Sequence, residues 1–244
     1  MRIIIASDYE DMSRKAADII SAQIHRKPSC ILGLATGSTP IGLYEQLCND
    51  CASGVTSFSE VSTFNLDEYR GIDGAHEQSY RYFMNEHLFN NVNIDLSNTH
   101  VPDGSNLDSI AACAAYDQAI DSTEGIDLQL LGIGHNGHIG FNEPADSFPV
   151  HTHCVDLSES TIQANSRLFE NAEDVPRQAY TMGVGTIMKS RSILVVASGD
   201  DKAHIVRDAF FGPVVPSVPA SVLQLHSNVT VLVDAQAGSL CPRN

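Results

Sequence analysis

Four short runs in this chain are apolar at nearly every position: Cys30-Ile31-Leu32-Gly33-Leu34-Ala35, Leu128-Gln129-Leu130-Leu131, Ser192-Ile193-Leu194-Val195-Val196-Ala197 and Val229-Thr230-Val231-Leu232-Val233. A strand with one solvated face alternates polar and apolar residues, so a run that does not alternate must be covered on both faces. Arg2 to Ala6 and Val61 to Leu66 read as further strands. Between the strands the apolar period changes to that of a helix: Met12, Ala16, Ile19, Ile20 and Ile24, then Ile41, Tyr44, Leu47, Cys48 and Cys51, then Tyr80, Phe83, Met84, His87 and Leu88. Leu107 to Ile120, Thr161 to Phe169 and the stretch with Ala203, Val206, Ala209 and Phe210 continue the pattern. Buried strands alternating with amphipathic helices specify an α/β three-layer sandwich with a mainly parallel, Rossmann-like sheet. Local signals support individual helix starts: Thr39 as N-cap with Pro40 in the first helical position, and a capping-box spelling at Ser160-x-x-Gln163.

With 244 residues, 43% of them hydrophobic, and no internal repeat, the chain reads as a single α/β domain over residues 1–237 with a loose tail over 238–244. A formal net charge of −16, with only 14 Lys and Arg, argues against nucleic acid or an anionic membrane as partner. An anionic ligand would therefore need a local cationic site. The apolar start Met1 to Ala6 is cut off by Ser7-Asp8-Tyr9-Glu10-Asp11, and no run reaches membrane-spanning length, so a cytoplasmic protein is expected. The six scattered cysteines read as reduced core thiols. Cys48-Asn49-Asp50-Cys51 falls late in a helical pattern, away from the N-terminus that would activate a thiol. A homo-oligomer is compatible with this composition.

In open parallel sheets ligands bind outside the carboxyl ends of the strands, and unusual loops follow the strands here. Thr36-Gly37-Ser38-Thr39, before a helix start, has the backbone N–H groups and hydroxyls of a phosphate cradle, although an ordinary capped turn has the same spelling. Lys202, in the first turn of a helix, is opposed by the helix dipole unless an anion is near; Asp200 and Asp201, or a ligand, could be that anion. Asp67 ends a strand among Asn65, Glu68 and Tyr69 and could act as a base on a carbon acid. Gly132-Ile133-Gly134-His135-Asn136-Gly137-His138 spells the dinucleotide pattern, but Pro144 follows too soon for the helix that pattern requires. His138, with Glu143 five residues on, is the strongest general acid/base candidate. A zinc site from His135, His138, His151 and His153 has no ligand spacing to support it, and no metal is expected.

Leu34-Ala35-Thr36-Gly37-Ser38-Thr39-Pro40, Phe64-Asn65-Leu66-Asp67-Glu68-Tyr69, Gly137-His138-Ile139-Gly140-Phe141-Asn142-Glu143-Pro144, Ala164-Asn165-Ser166-Arg167 and Met182-Gly183-Val184-Gly185-Thr186 occur in this order. In this the chain resembles the glucosamine-6-phosphate deaminases (glucosamine-6-phosphate isomerases) of the short bacterial type, over nearly its whole length. The resemblance implies conversion of glucosamine 6-phosphate and water to fructose 6-phosphate and ammonia, with no metal or organic cofactor. It also implies roles: His138, oriented by Glu143 and by residue 136, moves a proton to open the sugar ring. Asp67 then carries a proton from C2 to C1, while Gly37, Ser38, Arg167 and Lys202 hold the 6-phosphate.

Two departures stand out. Many family members have Asp where this chain has Asn136, so Glu143 must supply the charge that stabilises an imidazolium at His138. The longer, allosterically regulated relatives carry basic residues after Glu-Pro and a longer tail. This chain has Asp146-Ser147-Phe148-Pro149-Val150-His151-Thr152-His153 there, and no activation by N-acetylglucosamine 6-phosphate is expected. The competing readings are a 6-phosphogluconolactonase-like hydrolase, and a sugar-phosphate sensor, which would need a DNA-binding segment that this acidic chain does not spell.

Overall fold

The computed structural model describes residues 1–158, 162 and 175–242. In chain order its elements are β1 (Arg2–Ile5), α1 (Tyr9–Arg26), β2 (Ile31–Leu34), α2 (Ile41–Ala52), β3 (Ser62–Asn65), β4 (Asp67–Tyr69), α3 (Tyr80–His87), β5 (Thr99–His100), α4 (Ser109–Asp121), β6 (Leu128–Leu131), β7 (His153–Asp156), β8 (Gln178–Thr181), α5 (Val184–Met188), β9 (Ile193–Ala197), α6 (Ala203–Phe211) and β10 (Val229–Val233). The nearly continuous apolar runs β2, β6 and β9 are buried at every position, as their lack of alternation requires.

Seven strands form one sheet in the order β1-β10-β9-β6-β2-β3-β5, with every pairing parallel. From β2 the chain works outward through β3 to β5. It then returns to β6 on the other side of β2 and continues outward through β9 to β10. The direction of winding reverses between β2 and β6, and a parallel sheet opens a crevice at the carboxyl ends of its strands where this happens. The loops after β2, β6 and β9 all empty there.

Sequence periodicity did not show a second sheet, three-stranded and antiparallel, in the order β4-β8-β7. Asp67, expected at the end of a strand, instead opens β4 and pairs with Thr181 of β8, with Leu66 alone separating β3 from β4. This sheet carries its own small apolar cluster of Tyr69, Ile72, Phe141, Leu157, Ile162, Val175 and Ala179, separate from the main core. Strands three or four residues long are too short for a period to register.

The start of α2 also differs from expectation. Its N-cap is Pro40, and the Thr39 side chain makes no capping bond. Tyr9 of α1 does the work: its hydroxyl accepts from Gly42 N at 2.9 Å and faces the carbonyls of Thr39 (3.1 Å) and Ser38 (3.3 Å). A tertiary contact has replaced the local cap. Cys48 and Cys51 lie within α2, and burial pushes the Cys48 thiol up to about 11, consistent with an unreactive pair. Ala237 and Cys241 are buried against the main core. No helix among the described residues is long and apolar enough to cross a membrane. Thr161 to Phe169, with its capping-box spelling and Arg167, lies outside the described residues apart from Ile162.

Candidate active site

The crevice at the reversal point holds a cavity of about 310 Å³. It is lined by Thr36, Gly37, Ser38 and Thr39 after β2, Asp67 of β4, Gly134, His135, Asn136, His138, Gly140 and Phe141 after β6, Tyr80 of α3, and Lys202 before α6. Segments far apart in sequence, including one member of each unusual loop, thus share one space. Arg167 lies outside the described residues.

Part of the cavity wall suits an anion. Among the described residues, the backbone N–H groups and hydroxyls of Thr36, Ser38 and Thr39 and the N–H of Gly37 donate to no protein acceptor. They stand at the mouth of α2, where the helix dipole adds to their partial charges. Lys202 is partly buried beside them, and that burial holds its ammonium below the usual lysine range. Four N–H groups and a half-desolvated cation can hold a phosphate dianion against a strongly acidic protein. His135, weighed from sequence only as a metal ligand, pairs instead with Asp201 at 2.6 Å between two exposed side chains of the rim.

The same wall carries titratable groups. Asp67 is only 7% exposed, and among the described residues no donor meets its carboxylate. Burial, with the neighbouring Glu68 charge adding to it, pushes Asp67 up to about 8. Glu68 is buried too, but its carboxylate is spent on structure: it accepts from Tyr69 N at 2.8 Å, Tyr80 N at 2.9 Å and Arg81 N at 3.0 Å, clamping the start of α3 onto β4. Burial still pushes it up to about 7, with those three donors working the other way. Adjacent carboxylates in one strand thus divide the work, one facing the cavity and one facing a helix.

His138 Nδ1 lies 3.4 Å from Glu143 Oε1, an ion-pair distance outside hydrogen-bond geometry. Asn136 braces the pair. Its amide nitrogen donates to Glu143 Oε2, while its oxygen accepts from the His138 backbone N–H at 3.2 Å. An aspartate could make only the second of these contacts and would set two carboxylates against each other, so here the amide fits the site. The ring packs over Gly134, where a Cβ would come within 2.2 Å of His138 Nε2, so a side chain at 134 would displace the imidazole. Phe141 N donates to Thr181 Oγ1 at 3.0 Å, fixing the loop against β8 at the residue that pairs with Asp67.

Tyr80 was legible from sequence only as a core position of a helix. In the structure it is the first residue of α3, stacked on Phe141 at 6.0 Å and 17°, and the two rings give the cavity an aromatic wall. The only sequence signal for it was its place directly after a polar loop.

A family model described as glucosamine-6-phosphate isomerases/6-phosphogluconolactonase matches residues 7–232. The glucosamine-6-phosphate deaminase of Lachnoclostridium phytofermentans is 56% identical over 232 residues, covering 95% of this chain and 98% of its own. A solved monomeric glucosamine-6-phosphate deaminase superposes with a TM-score of 0.96 at 45% identity, covering 98% of this chain and all of that one. The 6-phosphogluconolactonase of Trypanosoma brucei superposes at 0.78 with 19% identity, over 99% of this chain and 98% of its own, a likeness of fold alone.

Proposed function

The chain belongs to the family of glucosamine-6-phosphate isomerases and 6-phosphogluconolactonases, and from that premise we propose that it is the deaminase of this family. It converts glucosamine 6-phosphate and water to fructose 6-phosphate and ammonia in amino-sugar catabolism. The observation that carries the reading is one cavity whose wall brings together an anion grip, a buried carboxylate and an imidazole. This is the arrangement that a phosphorylated hexose needs if its C1–C2 end is to react.

Thr36 to Thr39 and Lys202 take the phosphate, with Arg167 as a further ligand. His138 protonates the ring oxygen as the pyranose opens, and Glu143, braced by Asn136, stabilises the imidazolium that alternates with the neutral ring. Asp67 then removes the proton from C2 of the open aldehyde while a proton of the substrate's ammonium group passes to O1, leaving a neutral enolamine, and Asp67 returns its proton to C1. The resulting C2 iminium is attacked by water and expels ammonia, leaving the ketose. A carboxylate that ionises near 8 is a far stronger base than an exposed aspartate, which a carbon acid demands. Six thiols that are free in the structure fit a cytoplasmic location.

Purified protein given glucosamine 6-phosphate should release ammonia and fructose 6-phosphate in equal amounts. Hydrolysis of 6-phosphogluconolactone with no ammonia from the amino sugar would replace this reading with the family's other activity.

A further inference from the structure

Lys202 has to be held in place by something, because the turn that carries it has little secondary structure of its own. It follows β9 through Ser198 and Gly199 and a single 3₁₀ turn, Asp200–Lys202. Gly199 sits at φ +101°, a conformation that a side-chain-bearing residue adopts only under strain. Its carbonyl, part of the Gly199–Asp200 peptide, accepts from Lys202 N at 3.2 Å, so the path of the backbone through Gly199 is passed on to the lysine.

The group that fixes the preceding peptide, Ser198–Gly199, comes from another strand. Asp234 follows β10 immediately, and β10 pairs with β9 so that Val233 lies opposite Ala197. The Asp234 carboxylate is buried, at 4% exposure, and accepts from Ser198 Oγ at 2.6 Å, Gly199 N at 3.1 Å and Ala237 N at 2.7 Å. Its own N–H returns to the Ala197 carbonyl at 3.3 Å. Asp234 is absent from the cavity wall. A buried carboxylate is costly unless it is fully hydrogen-bonded, and this one takes its donors from the turn that presents the cavity's cation and from the start of the C-terminal segment.

We infer that Asp234 is a positioning residue for substrate affinity: it holds the Ser198–Gly199 peptide so that Lys202 faces the Thr36–Thr39 loop, and it acts on the phosphate end of the cavity alone. The inference rests on the reading of that end as the phosphate grip. It sets Asp234 apart from residues that merely keep the fold, whose loss would lower stability without singling out one substrate group.

The test compares Asp234→Asn, Ser198→Ala and Lys202→Met with the parent enzyme, using glucosamine 6-phosphate as substrate and inorganic phosphate as competitive inhibitor. Asparagine keeps an acceptor for Ala237 N but turns an amide donor toward Gly199 N, so the damage falls on the turn. The expected result for Asp234→Asn is a rise of about 5- to 20-fold in both KM and the phosphate inhibition constant, between the scales of an ordinary hydrogen bond and of one to a charged group, with kcat within about twofold. Ser198→Ala, which removes one of the bonds, should raise both by about two- to threefold. A fall in kcat with the phosphate constant unchanged overturns the inference, and so does no change in any parameter. If Asp234→Asn does not fold, an unchanged phosphate constant in Ser198→Ala overturns it equally. Lys202→Met separates the two ways of failing. An unchanged phosphate constant there removes the grip itself, and the inference with it; a raised constant there beside an unchanged one in Asp234→Asn removes Asp234 alone.

Discussion

Asp67→Asn should abolish the reaction and stabilise the protein, and the gain should grow with pH. Folding holds this carboxyl at about 8 against an ordinary 3.8. At 1.36 kcal/mol per pH unit, ionising it inside the folded protein costs roughly 5–6 kcal/mol more than ionising it in the unfolded chain. Below about pH 4 both states carry the proton and the penalty is zero. Between about 4 and 8 the unfolded chain has lost its proton while the folded one retains it, so stability drains away by up to about 1.4 kcal/mol for each pH unit gained. Above about 8 the loss is complete. Asparagine does not titrate, but its amide must also be buried, at roughly 1–3 kcal/mol. The variant should therefore match the parent near pH 5 and exceed it by about 2–5 kcal/mol at pH 9, or roughly 4–20 °C in melting temperature for a chain of this size. Glu68 titrates in the same window in both proteins, so the difference reports Asp67. Calorimetric melting of both proteins at pH 5, 7 and 9 measures it, alongside exchange of the substrate C2 hydrogen with solvent, which the variant should lose. A stability gap that stays constant with pH would refute the buried-carboxylate argument, and surviving exchange would remove Asp67 as the base.

The same carboxylate should show in the kinetics, since it must be ionised to act: kcat/KM should fall about tenfold per pH unit on the acid side of a limb near 8. Glu68→Gln removes the like charge beside Asp67 and should move that limb toward lower pH, a shift that titration of the substrate could not produce; an unmoved limb would refute the coupling. Glu143→Gln keeps the volume beside His138 Nδ1 but not the charge, and should lower kcat about 10- to 100-fold with KM little altered. A purely steric role would leave kcat near the parent value.

The parallel sheet and the mouth of the site were legible because their signals are local and redundant. Ile193 to Ala197 cannot be half-exposed, and the loop after such a strand in an α/β chain can only empty at one edge. Asp67, His138 and Lys202 could be assigned to that edge by strand order alone, and they do line one cavity. The contributions that escaped notice are made across the fold. Tyr9 caps α2 in place of Thr39, Glu68 reaches α3 from β4, and Asp234 reaches the β9 turn from β10. Each is a polar side chain serving backbone groups of a distant segment, and no period or spacing in the sequence records such a partner. The small antiparallel sheet was hidden for a different reason, because strands as short as β4 carry too few residues to alternate.

That hidden sheet explains how one cavity accommodates two opposed electrostatic demands. The carboxyl edge of the parallel sheet, with its free N–H groups and the mouth of α2, stabilises anions, and a carboxylate placed there would be held ionised and be a weak base. Phosphate belongs at that end and a carbon-acid base does not. Antiparallel strands have little net dipole, so at β4 nothing offsets the burial of Asp67, and its neighbour Glu68 adds to the effect. Leu66 is the only residue between the last position of β3 and the first of β4, and in that one step the backbone leaves the sheet whose edge suits anions for one where burial makes a carboxylate basic.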